Sequence, residues 1–387
     1  MSSTVSSTRW SWLVAVCAVL PAFVVSGCDD DDSTSADAAP TGDASADTGK
    51  PTGTGGSTGS GGAGDAKNPD GNGNDGGVAD AGGDGASSDG GDAAGLAVIF
   101  LPDSLSNMVY RYGISPGVAP VALPSFALDK AGSVAMSAKG ELFVAAYEQT
   151  GTITRYAQPL SDLPSSSGTL TGLGVSYPQQ MQFVDDELWV LNTALHACTT
   201  EAQNLVRLAF DAQGTASAAG TFQTGLVGAN RGLLWVPATR DLYVSQCHPV
   251  DTIQHYRVAV DHTVTAQTPV TGNGINNPHT MLMTSWGEML VINSGASNIL
   301  RFLVDAQGTL TANGMIVGAT GHEFSLPVGM AFTPWGELVV VNQNNATLSR
   351  FTFDATTHAA TESGYFMTNV PSEGGQYGIG WVIIQPR

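Results

Sequence analysis

Arg231 and His279 are a pair of residues whose side chains could act together on a charged or reactive group. An arginine guanidinium can bind a carboxylate through two parallel hydrogen bonds. A histidine that is neutral near pH 7 can serve as a general base or acid. The pair is therefore a candidate for handling a carboxylate or a lactone. The alternative is that both side chains only satisfy neighbouring polar groups and water, as buried polar groups must.

A second set of candidate residues is rich in amides and poor in carboxylates. Each lies just before an apolar run or just after one, positions at which strands of a sheet meet their loops. Such groups predict a hydrogen-bonding pocket for a small polar molecule rather than a metal site. The predicted binding residues, in addition to Arg231 and His279, are Gln180, Asn192, Gln246, Asn293, Asn342 and Gln376, with Gln179, Asn230 and Tyr377 beside them.

Two cysteines follow two of these apolar runs. An exported protein meets an oxidising compartment, so a disulfide between Cys198 and Cys247 is the leading prediction. His196 and His248 flank the cysteines, and a zinc site with two cysteine and two histidine ligands is the alternative. Free thiols are the third possibility.

The elements that would position these residues belong to a repeat. Five segments share an apolar stretch, a polar turn, an acidic residue before a second apolar run, and a basic residue before an aromatic or apolar one. The second runs begin at Leu142, Leu188, Leu242, Met289 and Leu338, which lie 46, 54, 47 and 49 positions apart. Pairs of short buried strands that recur every 40 to 50 residues or so are typical of four-stranded propeller blades.

A sixth unit is divided between the two ends of the repeat region. Residues 96–100 and 108–112 match the second and third strands of a blade, whereas a matching first strand occurs only at 378–384. Strands from both ends that share one blade would close the ring and remove exposed sheet edges. The sequence thus predicts an all-β, six-bladed β-propeller over residues 96–387, with seven blades as the alternative.

The line Asn298-Ile299-Leu300-Arg301-Phe302-Leu303-Val304-Asp305-Ala306-Gln307-Gly308 resembles a recurring line of the lactonase-type propellers, a family that includes 6-phosphogluconolactonases and carboxymuconate-cyclising enzymes. Asn277-Pro278-His279 resembles that family's start of an inner strand. The resemblance spans most of the repeat region, but its motifs build blades. It implies a lactonase-like hydrolase or cyclase as a possible activity. Propellers of the NHL and regucalcin-like type fit six blades as well, and a regucalcin-like metal site would need carboxylates that the rim positions lack.

Residues 1–27 predict a lipoprotein signal peptide, and Cys28 after them predicts lipid anchoring. Arg9 precedes an apolar run over 12–25. This run is shorter than the about 20 residues that a helix needs to cross a bilayer core, and it is typical of a signal peptide. Val25-Ser26-Gly27-Cys28 resembles the bacterial lipobox, whose cysteine becomes the acylated first residue of the mature protein. Acyl chains such as palmitate on Cys28 would hold the protein on the bilayer. The predicted location is the cell envelope, at either the inner or the outer membrane and on the periplasmic or surface side.

Residues 28–95 predict a disordered tether, because Gly, Ala, Asp, Ser and Thr cannot bury enough apolar surface to offset the entropy of ordering. Fourteen aspartates between Asp29 and Asp92 supply much of the net charge of −20. The absence of a basic stripe from the sequence argues against nucleic-acid binding.

Three functions remain open from sequence. The leading one is a monomeric, membrane-anchored lipoprotein whose propeller binds a small polar ligand, glycan or protein through its channel-rim loops. The alternatives are a lactonase-like enzyme at the channel entrance, with His279 and Arg231 as candidate catalytic residues, and a non-catalytic structural scaffold. No cofactor is predicted.

Overall fold

The computed structural model describes residues 97–193, 202–227, 229–247, 250–370, 380 and 382–387. These residues form 25 strands and one short 3-10 turn, arranged as six antiparallel sheets. Among them, no helix has the length and apolar character that a membrane span requires.

Each sheet is one blade, and most blades take four consecutive strands of the chain. We number the blades 1 to 6, and from the channel outward their strand orders are β25-β1-β2-β3, β4 to β7, β8 to β11, β12 to β15 with β16 beside β14, β17 to β20, and β21 to β24. The strands are β1 Ala97–Asp103, β2 Met108–Ser115, β3 Val118–Ala127, β4 Ala131–Met136, β5 Leu142–Ala146, β6 Ile153–Tyr156, β7 Gly168–Leu170, β8 Pro178–Val184, β9 Glu187–Asn192, β10 Ala202–Phe210, β11 Ala216–Val227, β12 Ala229–Val236, β13 Asp241–Cys247, β14 Thr252–Val258, β15 Val264–Ala266, β16 Val270–Thr271, β17 Pro278–Met283, β18 Glu288–Asn293, β19 Asn298–Val304, β20 Leu310–Ile316, β21 Pro327–Phe332, β22 Leu338–Asn342, β23 Thr347–Phe353, β24 Ala360–Met367 and β25 Ile383–Pro386.

The predicted six-bladed ring is confirmed, with its N- and C-terminal strands in one blade. The innermost strands contact their neighbours around the whole ring, and β25 lies between β21 and β4. β25 pairs with β1 so that Ile384 faces Ile99 and Pro386 faces Ala97. The closing strand covers 383–386 and overlaps the predicted 378–384 at residues 383 and 384, whereas residues 378, 379 and 381 lie outside the described part of the chain. The apolar run alone could not specify this register, because the pairing depends on which residues of β1 lie opposite the closing strand.

The core consists of six apolar layers, one between each pair of neighbouring blades. The second strand of each blade contributes side chains to two layers. In blade 1, Ile99 packs toward blade 6, and the next residue, Phe100, packs toward blade 2. Second strands are therefore apolar without interruption, and each large side chain that leaves water contributes about 1.5–3 kcal/mol. This is why they were visible in the sequence as unbroken runs.

The two ends of the channel differ in their chemistry. We call the end where first strands begin and second strands end the entrance face, and the opposite end the hairpin face. On the hairpin face, five blades pair a carboxylate at or next to the start of the second strand with a basic residue of the third. The pairs are Glu141–Arg155 at 2.8 Å, Glu187–Arg207 at 2.7 Å, Asp241–His255 at 2.8 Å, Glu288–Arg301 at 2.6 Å, and Glu337–Arg350. The acidic and basic positions of the sequence repeat are thus structural.

Candidate functional site

A β-bulge occurs at the start of five of the six innermost strands, directly at the entrance face. A bulge adds one residue to one strand, turns its side chain away from the regular alternation, and is common beside active sites. The residues at the bulges are Gly132 in blade 2, Gln179 in blade 3, Arg231 in blade 4, His279 and Thr280 in blade 5, and Val328 in blade 6. Both candidate catalytic residues therefore occupy bulges.

The chain enters four of these innermost strands in the same way. A residue with positive φ precedes the strand, and its carbonyl oxygen accepts a hydrogen bond from the residue that follows the second strand of the same blade. The acceptors and donors are Lys130 and Tyr147, Tyr177 and Thr193, Asn277 and Ser294, and Leu326 and Gln343, with N–O distances of 2.8 to 3.1 Å. This tie fixes the rim loops to the rigid blades and gives the entrance a defined shape.

Arg231 and His279 lie on neighbouring innermost strands that approach each other closely. The Ser245 hydroxyl accepts a hydrogen bond from the Gly232 amide at 2.6 Å and donates one to the His279 carbonyl at 2.8 Å. A Cβ atom on residue 232 would lie only 2.3 Å from that carbonyl oxygen, so glycine is required there. Blades 4 and 5 therefore hold the two candidate side chains near each other. The Arg231 Nε also lies 3.4 Å from the sulfur of Cys247.

His279 is neutral near pH 7 at this position. Its side chain is nearly buried, and burial lowers its pKa well below the ordinary value of 6.5, with the positive charge of Arg231 lowering it further. A neutral imidazole offers one hydrogen-bond donor and one acceptor. The site thus combines a permanent cation with a neutral group that can donate to, or accept from, a polar ligand.

The glutamines differ in how much of each side chain the protein itself uses. The Gln180 amide oxygen accepts a hydrogen bond from the Leu233 amide at 2.6 Å, which bridges blades 3 and 4. Among the described residues, the NH₂ group of Gln180 has no hydrogen-bond partner, so it can serve a ligand. Gln179 and Gln246 are buried at the same end of their blades.

The three predicted asparagines have a structural task. Each ends a second strand, is almost or fully buried, and holds the loop that enters its blade. Asn192 accepts from the Ser176 amide at 3.0 Å and donates to the Gly174 carbonyl at 2.9 Å. Asn293 forms the corresponding hydrogen bonds in blade 5. In blade 6, Asn342 accepts from the Ser325 amide at 3.4 Å and donates to the hydroxyls of Thr347 and Ser349. A direct role of these amides in ligand binding remains a prediction, and their hydrogen bonds favour a role in shaping the rim.

Sequence reasoning missed two tyrosines on the rim. Tyr147 follows the second strand of blade 2, and Tyr177 precedes the innermost strand of blade 3. Their rings meet edge to face with centroids 5.6 Å apart. The signal was present, because Tyr177 stands before Pro178 as Asn277 stands before Pro278. An aromatic pair of this kind supplies an apolar surface with polar tips, suited to a ring-shaped polar ligand.

Asn230 is the least satisfied polar side chain near the entrance. It is fully buried, and neither its amide oxygen nor its amide nitrogen has a hydrogen-bond partner. Its backbone N–H donates to the Gln203 amide oxygen at 3.0 Å, and the nitrogen of that amide is also buried without a partner. Buried polar atoms of this kind are commonly satisfied by water or a ligand.

Several predicted residues lie outside the described part of the chain. These are Cys28, His196, Cys198, His248, Gln376 and Tyr377. Cys247 is buried at the end of its strand, but neither the predicted disulfide nor the zinc alternative is tested. Within the described ranges, no group of three His, Cys, Asp or Glu side chains is arranged to hold a metal ion.

The fold is shared with solved structures of bacterial lactonase-type propellers. A protein from Bacteroides uniformis proposed to be a 6-phosphogluconolactonase is 15% identical, with a TM-score of 0.54, and the alignment covers 71% of this chain and 83% of that one. The periplasmic gluconolactonase of Pseudomonas aeruginosa is 13% identical, with a TM-score of 0.54 and coverages of 72% and 84%. A protein of unknown function from Bacteroides caccae is 10% identical, with a TM-score of 0.52 and coverages of 76% and 100%.

No family model matches the chain, and no curated protein matches its sequence. At these identities the structural likeness establishes the fold alone. The chain is therefore a six-bladed β-propeller whose structural neighbours include lactonases.

Proposed function

We propose that the entrance of the channel binds a small polar ligand that carries a carboxylate or lactone group. The observation that carries the proposal is the placement of Arg231 and His279 on bulges of adjacent innermost strands, beside a close contact between the two strands. Arg231 supplies the charge and the planar donors that suit a carboxylate. His279 and the free NH₂ group of Gln180 supply neutral hydrogen bonds on either side.

The rim tyrosines extend this proposal to the shape of the ligand. Tyr147 and Tyr177 present ring edges and faces beside the same entrance. Aromatic side chains contribute contact area at low entropic cost and bind rings well. A hydroxylated ring or short chain with one acidic or lactone end fits the combination best.

We also propose that this site works at the cell envelope. The lipobox-like residues before Cys28 support acylation of that cysteine, and the segment 28–95 would then act as a spacer between bilayer and propeller. A protein attached in this way would sample ligands that reach the envelope.

Calorimetric titration of the full chain with gluconate, with methyl glucoside as an uncharged comparison, tests the binding function. Arg231→Met should weaken gluconate binding by about tenfold or more, since a buried charge-assisted hydrogen bond contributes about 1.5–3 kcal/mol. Arg240→Gln, which removes a positive charge from the hairpin face, is the matched control and should bind as wild type does. Equal affinity of both compounds, or no effect of Arg231→Met on gluconate binding, would refute the role of Arg231. Absence of binding would favour the scaffold function.

Lactone hydrolysis at the same entrance is the second candidate, favoured by the neutral state of His279 beside Arg231. His279 would accept a proton from water as the oxygen attacks the lactone carbonyl. The ring C–O bond then breaks, and the departing oxygen recovers the proton. A pH-stat measures this activity as the rate of acid release from glucono-lactone in excess of the uncatalysed rate. Loss of turnover in His279→Gln with retained gluconate binding would identify an enzyme, whereas binding without turnover in the wild type would exclude hydrolysis of this lactone.

A further inference from the structure

Blade 1 breaks the ion-pair pattern of the hairpin face. In each of the other five blades, a basic residue of the third strand pairs with a residue of the second strand. The residue two positions before that partner carries a carboxylate side chain. In blade 1 the basic residue is Arg111, its strand partner is Phe100, and the corresponding position is occupied by Val98. The repeat thus retains the cation and lacks the anion.

Arg111 is buried without that carboxylate. Only 1% of the residue is exposed, and Nη1 donates to the carbonyl oxygens of Pro124 at 3.1 Å and Asp162 at 3.2 Å. Its Nε is buried and has no hydrogen-bond partner. Burial lowers the pKa of the guanidinium, and the charge of Arg387 lowers it further, whereas Asp162 raises it. A buried arginine stays protonated, so its charge favours an anion nearby.

The segment that covers Arg111 is also exceptional. The connection between the third and fourth strands of blade 2 spans eleven residues, 157–167, whereas those of the other blades span two to six. Insertions in one unit of a repeat protein map to loops, and such loops are often binding surfaces. This loop reaches back to blade 1, since the Asp162 carbonyl is the acceptor for Arg111.

A cleft of about 410 Å³ lies where the loop meets blade 1. Its polar lining consists of Lys139, Gln158, Ser161 and Gln385, and the amide oxygen of Gln385 is buried without a partner. Gln385 pairs with Val98 in the sheet, so the cleft borders the position where the carboxylate is missing. Lys139 is exposed, which places a mobile cation at the mouth of the cleft.

We propose that this cleft between blades 1 and 2, on the hairpin face, is a second binding site that takes a small carboxylate- or phosphate-bearing anion. Lys139 contacts the anion directly, and the charges of Arg111 and Arg387 attract it from behind. The anion supplies the negative charge that Glu141, Glu187, Asp241, Glu288 and Glu337 supply in the other blades. The site lies at the opposite end of the blades from the channel entrance, and it does not depend on the function proposed there.

The lysine content of the chain gives a direct test. The four lysines are Lys50, Lys67, Lys130 and Lys139, so a chain labelled with ¹³C at the lysine ε carbon gives few NMR signals. Lys130 is exposed on the entrance face and serves as the internal control. Inorganic phosphate and acetate are titrated separately at constant ionic strength, with Lys139→Gln and Lys130→Gln assigning the two signals.

Saturable movement of the Lys139 signal alone supports the site, and the anion that saturates at lower concentration identifies the ligand chemistry. No movement, or parallel movement of both lysine signals without saturation, overturns it. Phosphate or acetate should also raise the melting temperature of the wild type relative to chloride, and Lys139→Gln should reduce that increase, whereas Lys130→Gln should not.

Val98→Glu provides a second, independent test. It restores the carboxylate found in the other blades, and it should abolish the anion response of Lys139 while Val98→Gln retains it. A Val98→Glu protein that folds and still binds the anion as the wild type does would overturn the proposal. The surface variant Lys139→Gln keeps the test decisive if the buried substitution prevents folding.

Discussion

Replacing Asn293 with leucine should destabilise the propeller and leave ligand affinity at the entrance nearly unchanged. The Asn293 amide oxygen accepts from the Asn276 amide at 2.6 Å, and its nitrogen donates to the Gly274 carbonyl and to Asn298 Oδ1, both at 3.0 Å. The side chain is fully buried. Its hydrogen bonds join the loop that enters blade 5 to the end of the second strand, so their loss should lower stability.

The magnitude follows from these three hydrogen bonds. Each contributes about 1 kcal/mol net, and partners left unsatisfied in a buried setting cost further, so the loss should be about 3 kcal/mol. For a domain of this size the melting temperature should fall by about 6 °C, taking about 2 °C per kcal/mol. Leucine has the same number of side-chain heavy atoms and the same branching as asparagine, so the substitution leaves no cavity.

Guanidinium denaturation of the full chain, followed by tryptophan fluorescence, measures the free energy of unfolding. Asn344→Ala, at an exposed asparagine two residues after the corresponding strand end of blade 6, is the control and should change stability by less than about 0.5 kcal/mol. Calorimetric titration with gluconate reports binding. If Asn293→Leu keeps its stability within about 1 kcal/mol of wild type and loses gluconate affinity tenfold, the structural assignment of this asparagine is wrong.

Four further outcomes are expected. Gly232→Ala should lower the free energy of unfolding by about 2 kcal/mol or more in the same assay, because its Cβ would lie 2.3 Å from the His279 carbonyl oxygen; an unchanged midpoint would contradict the close approach. Since the folded-state pKa of His279 is lowered, the unfolded chain binds a proton that the folded chain does not, between that pKa and about 6.5. The free energy of unfolding should therefore decrease as the pH falls below about 6.5, by at most about 1.4 kcal/mol per pH unit from this group, and His279→Gln should flatten that dependence. Non-reducing mass spectrometry should detect Cys198 linked to Cys247, and two alkylated thiols would exclude the bond. Incorporation of a labelled palmitate analogue should occur in the wild-type chain and be lost in Cys28→Ser, whereas equal labelling of both would disprove the anchor.

The sequence predicted the repeat and the blade count, and it also identified Arg231 and His279, which the structure places on adjacent innermost strands. It could not separate Asn293, which serves the loops, from Gln180, which bridges blades. Both are polar residues at a strand end, and their difference lies in distant partners: Gln180 binds the Leu233 amide 53 positions away. Tyr147 and Tyr177 were missed for a related reason, because an aromatic residue beside an apolar run is typical of the buried core.

The sequence by itself determined the ring, because each blade must bury both faces of its second strand. That requirement produces an unbroken apolar run every 46 to 54 residues. The tertiary structure determined the bulges, the tight contact at Gly232 and the burial of Arg111 without a carboxylate from its own blade. These features arise where one blade meets the next, from residues that are far apart in the chain. Local propensity and periodicity act over a few residues, so they specify blades, whereas the shape and charge of the surfaces between blades are set only when the ring closes.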